Sequence, residues 1–202
     1  FSPVSFGFRP KRSAHQALEA IRVTVNRGAD WVLEADIKAC FDEIDHNALM
    51  AQVERRVVDG ELLKFLRSWL RAGVVEGGRV SDPETGTPPG SPISPLLANI
   101  ALSVLDEHFT RKWEALGPAW TRAKRRRAGE PTMRLVRSAD DFVVRIRGTR
   151  DDAEALGGEV TNGPAPTGLR LAAAKTCVGH PEWGVAFWGG SGGGGGRGPL
   201  KT

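Results

Sequence analysis

The sequence predicts an α+β domain, and three observations carry that expectation. Apolar residues recur at helical spacing in several separate stretches, and a short run at 31–36 reads as a strand ending in a carboxylate. Two further runs, 134–138 and 142–147, stand close enough to pair as an antiparallel hairpin. The 202 residues suffice for one domain with a sizeable core. Hydrophobic residues at 40% and charged residues at 26% exclude a fibrous or wholly disordered chain. No stretch approaches the roughly 20 uninterrupted apolar residues of a membrane span, so no membrane partner is expected. No charged-then-apolar leader is present, and a chain opening on Phe1 reads as a fragment. Cys40 and Cys177 are too few and too separated for a disulfide framework or a zinc site, which suits a reducing, intracellular setting, the cytoplasm.

Taken in order, Ser13 and Gln16 have the spacing of a capping box, with Ala14, Ala17, Leu18, Ile21 and Val25 behind them, so a helix is expected over 13–27. Residues 31–36, with Val32 and Leu33, form the expected strand, buried on at least one face. Asp45 reads as the N-cap of a helix carrying Leu49, Val53 and Val57, and an amphipathic helix is expected over 61–71. Gly77-Gly78 and the Pro-, Gly- and Ser-rich run 85–95 read as loops. Leu96, Leu97, Ile100, Val104 and Leu105 mark another helix. The hairpin follows, then a helix capped by Thr149 and Asp152, a turn at 162–168 and a last strand at 169–172. Nine of the fifteen residues from 184 to 198 are glycine, so the folded unit is expected over 1–183 and a flexible tail over 184–202.

The charge is unevenly distributed. The whole chain carries +4, yet residues 111–137 hold nine basic and two acidic side chains, leaving the remainder net acidic. Arg122, Lys124, Arg125, Arg126 and Arg127 are the densest part, interleaved with Trp113 and Trp120. Such a patch attracts a phosphate backbone through counterion release, and it is also what a solvated surface run looks like.

Asp36 ends a strand, and Asp140 with Asp141 lies in the hairpin turn more than a hundred residues later. If these strands are neighbours, the carboxylates converge at one end of a sheet. Such a cluster is unfavourable without a divalent cation, and carboxylate oxygens with retained waters suit Mg²⁺. An Asp-Asp pair is also ordinary turn or cap chemistry. Asp151-Asp152, at a predicted helix start, is such a pair and needs no metal.

Four ordered blocks extend this reading: Phe6-Gly7-Phe8-Arg9-Pro10 with Ser13-Ala14-His15; Asp36-Ile37-Lys38-Ala39-Cys40-Phe41-Asp42; Gly90-Ser91-Pro92-Ile93-Ser94-Pro95-Leu96-Leu97-Ala98-Asn99-Ile100; and Ala139-Asp140-Asp141. Together they resemble the motifs of group II intron-encoded reverse transcriptases over about residues 1–176, and Phe187-Trp188-Gly189 faintly resembles the family's next motif. The resemblance implies a polymerase palm, an antiparallel sheet backed by helices, with part of the fingers. It implies Asp36, Asp140 and Asp141 as ligands of Mg²⁺ or Mn²⁺, and Lys175 as general acid for pyrophosphate. It implies Phe41 as the ring that blocks a ribose 2′-hydroxyl, with Ile37, Pro89 and Gly90 also at the nucleotide. Arg9 is either a nucleic-acid contact or a structural salt bridge. The implied partners are an RNA template or intron RNA, a DNA primer and deoxynucleoside triphosphates.

The chain departs from the family pattern in several places. Ser138 stands where the family has tyrosine before Ala-Asp-Asp, and there is no tyrosine in the chain. Pro88-Pro89-Gly90 replaces Pro-Gln-Gly, exchanging an amide for a ring without a donor. Ala174 stands where glutamate precedes Lys-Thr, and the basic fingers segment that holds a triphosphate is expected to be missing. Three readings stay open: a polymerase fragment, an RNA-binding maturase-like module, and a degenerate remnant without activity.

Overall fold

The computed structural model describes residues 1–25, 31–72, 75–76, 79–80, 84–88, 90–162, 172 and 176–180. Lys175, Pro89, the Gly77-Gly78 pair, Ala174, residues 163–168 of the turn expected at 162–168, residues 169–171 of the expected last strand and the tail from 184 lie outside the described residues, while Asn162 is still helical.

The first helix, α1 (Ala14–Val25), opens on the expected capping box. The Ser13 amide donates to Gln16 Oε1 at 3.1 Å and the Gln16 amide to Ser13 Oγ at 3.2 Å, satisfying two orphan donors reciprocally. Strand β1 (Trp31–Asp36) leads into a four-residue helix, α2 (Cys40–Glu43), which apolar spacing is too short to reveal. Helix α3 (His46–Glu54) is capped by Asp45, whose carboxylate accepts the Ala48 amide at 2.7 Å. Helix α4 (Gly60–Arg71) is capped by Asp59 and buries Leu66 and Leu70.

The structure adds a hairpin and redraws one helix. β2 (Val75–Glu76) and β3 (Arg79–Val80) pair as a short hairpin on either side of the expected loop. The helix expected from Leu96 begins at Ser94, with Pro95 in its first turn where no backbone N–H is needed, and it is two helices, α5 (Ser94–Ala101) and α6 (Ser103–Ala115). The basic run is itself helical, α7 (Ala119–Arg127), with no buried residue. Periodicity missed it because an element without an apolar face has no hydrophobic period.

The expected hairpin is β4 (Thr132–Ser138) and β5 (Asp141–Arg147). Helix α8 (Arg150–Asn162) follows, with the Thr149 amide donating to Asp152 Oδ2 at 2.8 Å and the Asp152 amide to Thr149 Oγ1 at 3.2 Å. The Asp151-Asp152 pair is thus cap chemistry. A short strand, β6 (Cys177–Gly179), completes an antiparallel four-stranded sheet in the order β4-β5-β1-β6.

The sheet has a packed face on each side. Leu33, Ala35, Leu135, Phe142, Val144 and Ile146 join the main core beneath α3, α5, α6 and α8. Val32, Val136 and Val143 pack against Phe6, Ala17 and Ile21 on the other side. A central strand covered twice is buried at consecutive positions, as Phe142–Ile146 of β5 are. No helix among the described residues is long and apolar enough to cross a membrane.

Candidate active site

β1 and β5 pair antiparallel with Asp36 opposite Asp141, and Asp141 is in turn opposite Ser138 of β4. Residues directly opposite point to the same face, so Asp36, Asp141 and Ser138 line one sheet end together. Asp140 sits beside them in the two-residue turn. Ala139 takes a left-handed backbone, φ 58°, which reverses the chain tightly and leaves Asp140 at the tip. Asp36 is buried, and Asp140 and Asp141 are half-buried.

Neighbouring groups register this negative field. The Cys40 thiol is pushed up to about 12, chiefly by burial and then by Asp140, with Asp36 and Asp42 adding and Arg137 opposing. Glu34 also lies above the ordinary carboxylate range, through burial first and then Asp141. Among the described residues no three His, Cys, Asp or Glu side chains close into a metal-binding group. The fit to a hard divalent cation is therefore one of donor chemistry and backbone placement: carboxylate oxygens at adjacent positions of paired strands.

The segment that follows β1 is braced by a second one. Residues 84–88 clamp onto 41–46: the Thr87 amide donates to the Phe41 carbonyl at 2.7 Å, the Gly86 amide to the Ile44 carbonyl at 2.8 Å, and the His46 amide to the Glu84 carbonyl at 3.1 Å. His46 Nε2 stands 2.6 Å from the Gly86 carbonyl oxygen. Gly86 has φ +87°, and a Cβ there would lie 2.9 Å from the Asp42 carbonyl oxygen, so only glycine fits. Phe41 is thereby held half-buried against the core. At Gly90, φ +71°, an added Cβ would meet nothing within 4 Å, and the backbone there is open to an approaching group. The Ile37 side chain is in the core at 5% exposure, leaving its main chain for any nucleotide contact.

Arg9 donates to the carbonyls of Ser2 at 2.8 Å and Ser5 at 3.2 Å, and its guanidinium lies over the Phe1 ring. Its described partners thus belong to its own loop. In the basic segment, Arg122 stacks over Trp113 with its guanidinium carbon 4.3 Å from the ring centroid and donates to the Gly117 carbonyl, and Arg125 pairs with Glu130 at 2.7 Å. Lys124, Arg126 and Arg127 have no carboxylate partner among the described residues.

Sequence reasoning missed Arg137. It is fully buried on β4, where its guanidinium forks onto Asp106 of α6 at 2.8 and 2.7 Å. Its signal was parity: an arginine two residues after Leu135 sits at an inward position of a strand. An inward charge implies a buried partner elsewhere.

Residues 1–190 match the family described as Reverse transcriptase (RNA-dependent DNA polymerase). Protein YkfC of Escherichia coli K12 is 32% identical, the alignment covering 94% of this chain and 55% of that one. The group II intron-encoded protein LtrA of Lactococcus lactis is 31% identical over 76% of this chain and 33% of its own length. An uncharacterized 91 kDa protein in the cob intron of Schizosaccharomyces pombe is 32% identical over 88% of this chain and 27% of its own. The chain thus spans between 27% and 55% of the length of these relatives. Telomerase from Candida tropicalis, in complex with a fragment of telomeric RNA, superposes with a TM-score of 0.61 over 90% of this chain and 31% of that one at 14% identity, a likeness of fold. The fold is thus shared beyond sequence similarity, and the match over 1–190 makes this chain a member of the reverse transcriptase family, an RNA-directed DNA polymerase domain of the group II intron-encoded type.

Proposed function

We propose that this chain is the nucleotidyl-transfer core of an intron-encoded reverse transcriptase, adding deoxynucleotides to a primer 3′-hydroxyl on an RNA template. The pairing of Asp36 with Asp141, with Asp140 next to it at the hairpin tip, is the observation that carries the reading. Asp36, Asp140 and Asp141 would hold Mg²⁺, or Mn²⁺ in its place. When bound, such ions activate the attacking hydroxyl and stabilise the charge of the leaving pyrophosphate.

The chain's own residues supply position and selection. The carboxylates fix where the primer end and the triphosphate meet, and positioning is most of what phosphoryl-type transfer asks of a protein. Phe41, held by the Thr87 contact, sets a wall against a ribose 2′-hydroxyl. Gly90 lets backbone approach the nucleotide. Lys175, through Nζ, donates the proton that pyrophosphate takes as it leaves.

The test is metal-dependent extension of a DNA primer on an RNA template. Asp140→Ala should reduce extension at least about 100-fold, while RNA affinity stays the same or rises slightly, because removing a negative charge does not weaken attraction to phosphate. Extension retained in that variant overturns the reading.

A second reading is favoured by α7, whose Lys124, Arg126 and Arg127 lack carboxylate partners among the described residues, and by Ser138 in place of a ring. In it the chain binds intron or template RNA as a maturase-like module without polymerising. Salt-dependent RNA binding with no extension selects it.

A further inference from the structure

The hairpin that carries Asp140 is clamped from outside the sheet. Residues 4–6 run alongside β4: the Phe6 amide donates to the Arg137 carbonyl at 2.8 Å and the Arg137 amide to the Val4 carbonyl at 2.9 Å. Gly7 then crosses the turn so closely that a Cβ on it would lie 2.4 Å from the Ala139 nitrogen and 2.9 Å from the Ser138 carbonyl carbon. Those are backbone atoms, so they yield only if the turn itself moves.

Beneath the turn, the Arg137 guanidinium uses all five of its N–H groups. Besides the fork onto Asp106, Nη2 donates to Ser5 Oγ at 3.0 Å, and Nη1 donates to Asn99 Oδ1 at 2.9 Å and to the Ala139 carbonyl at 2.7 Å. Asn99, 2% exposed on α5, completes the circuit by donating through Nδ2 to the Gly7 carbonyl at 2.9 Å. Its orientation is forced, since arginine can only donate and a carbonyl can only accept.

We infer that Asn99 is a positioning residue for the carboxylate hairpin, coupling the Gly7 loop to Ala139 through Arg137 so that the Asp140 and Asp141 carboxylates are preset before any ligand arrives. The inference rests on the polymerase reading for its consequence in catalysis. The physical reason is the left-handed Ala139. An alanine at φ 58° is unfavourable by about 1 kcal/mol, and it persists where its surroundings over-determine it. Here a guanidinium holds its carbonyl while the Gly7 backbone presses on its nitrogen. Asn99 is the side chain bonded to both.

Two variants of the whole chain test this from opposite sides. Asn99→Asp keeps the acceptor for Arg137 and turns an oxygen towards the Gly7 carbonyl. Gly7→Ala leaves Asn99 intact and pushes on the turn. Amide exchange by NMR reads the clamp directly: in the unaltered chain the Phe6 amide should be protected to within about tenfold of Val143, and each variant should lose about 10-fold or more of that protection. Mn²⁺ affinity of the chain alone should fall several-fold, and the extension rate constant kcat about 10-fold, with KM for primer–template unchanged.

A Phe6 amide that exchanges like a frayed terminus in the unaltered chain overturns the coupling, even if neither variant folds. So do variants with unaltered exchange, Mn²⁺ affinity and kcat. An Asp140→Ala chain that still extends primers overturns the polymerase reading instead, and leaves exchange to decide the clamp.

Discussion

Glu34 lies two residues before Asp36 on the same face of β1, opposite Val143, and its acidity is shaped by that address. Burial and then the Asp141 charge hold its pKa above the ordinary value of 4.5. The folded chain therefore favours the protonated form more than the unfolded chain does. Its stabilising contribution is fully present below the unfolded value and is lost as pH rises through the folded one. Glu34→Gln, which stays neutral, should melt higher than the unaltered chain at pH 7 in metal-free buffer. The gap should close as pH falls towards 4.5, a trend that melting curves across pH will reveal. A constant gap at every pH excludes the charge as its source. The capping pairs Ser13–Gln16 and Thr149–Asp152 were legible as letters because their partners lie three residues apart. Nothing local to Glu34 signals that its pKa is raised, because burial, the larger cause, comes from tertiary packing, and the Asp141 charge comes from a strand more than a hundred residues away.

At the scale of elements, α7 poses the sharpest question. It buries no residue, Trp120 is 72% exposed, and its last turn holds Lys124, Arg125, Arg126 and Arg127. Cations at a helix C-terminus also complement the macrodipole, so their placement stabilises the helix whether or not anything binds. RNA binding separates the two roles. Replacing Lys124, Arg126 and Arg127 together by glutamine should weaken binding and lower the slope of log affinity against log salt by about 2, near 0.7 for each single-strand phosphate that is no longer neutralised. An unchanged slope makes these side chains helix-end charges alone. The hairpin of β4 and β5 was readable from two strand patterns set close together. The division at Leu102 between α5 and α6 was not. Its apolar spacing continues across the break, and Leu102 is itself buried.

For the whole molecule, the Arg137–Asp106 pair ties the sheet to α6 with both side chains fully buried. Removing one member leaves a charge in the core. Asp106→Ala should therefore lower unfolding stability by about 3–5 kcal/mol in denaturant titration. Replacing both, with Arg137→Met and Asp106→Leu, should restore much of that loss because no charge is then stranded. The double variant should remain poor in extension, since the Ala139 carbonyl loses its donor. A double variant no more stable than Asp106→Ala argues that the pair's hydrogen bonds to Ser5 and Asn99 matter more to stability than its charge.

By itself the sequence determined the elements whose signals are local, the capped helices, the strand ending in Asp36 and the tight hairpin, together with the ordered motifs that identify the family. These depend on neighbours within a few residues, where spacing along the chain equals position in space. Only the tertiary structure decided which strand lies beside which, and so that Asp36 faces Asp141. It alone decided that Gly7 must be glycine, because the turn at Ser138 and Ala139, far along the chain, touches it. It also showed that Arg137, Asn99 and Asp106 form one buried circuit. Those facts depend on close packing between segments far apart in sequence, and no local pattern encodes a contact whose partner is chosen by the fold.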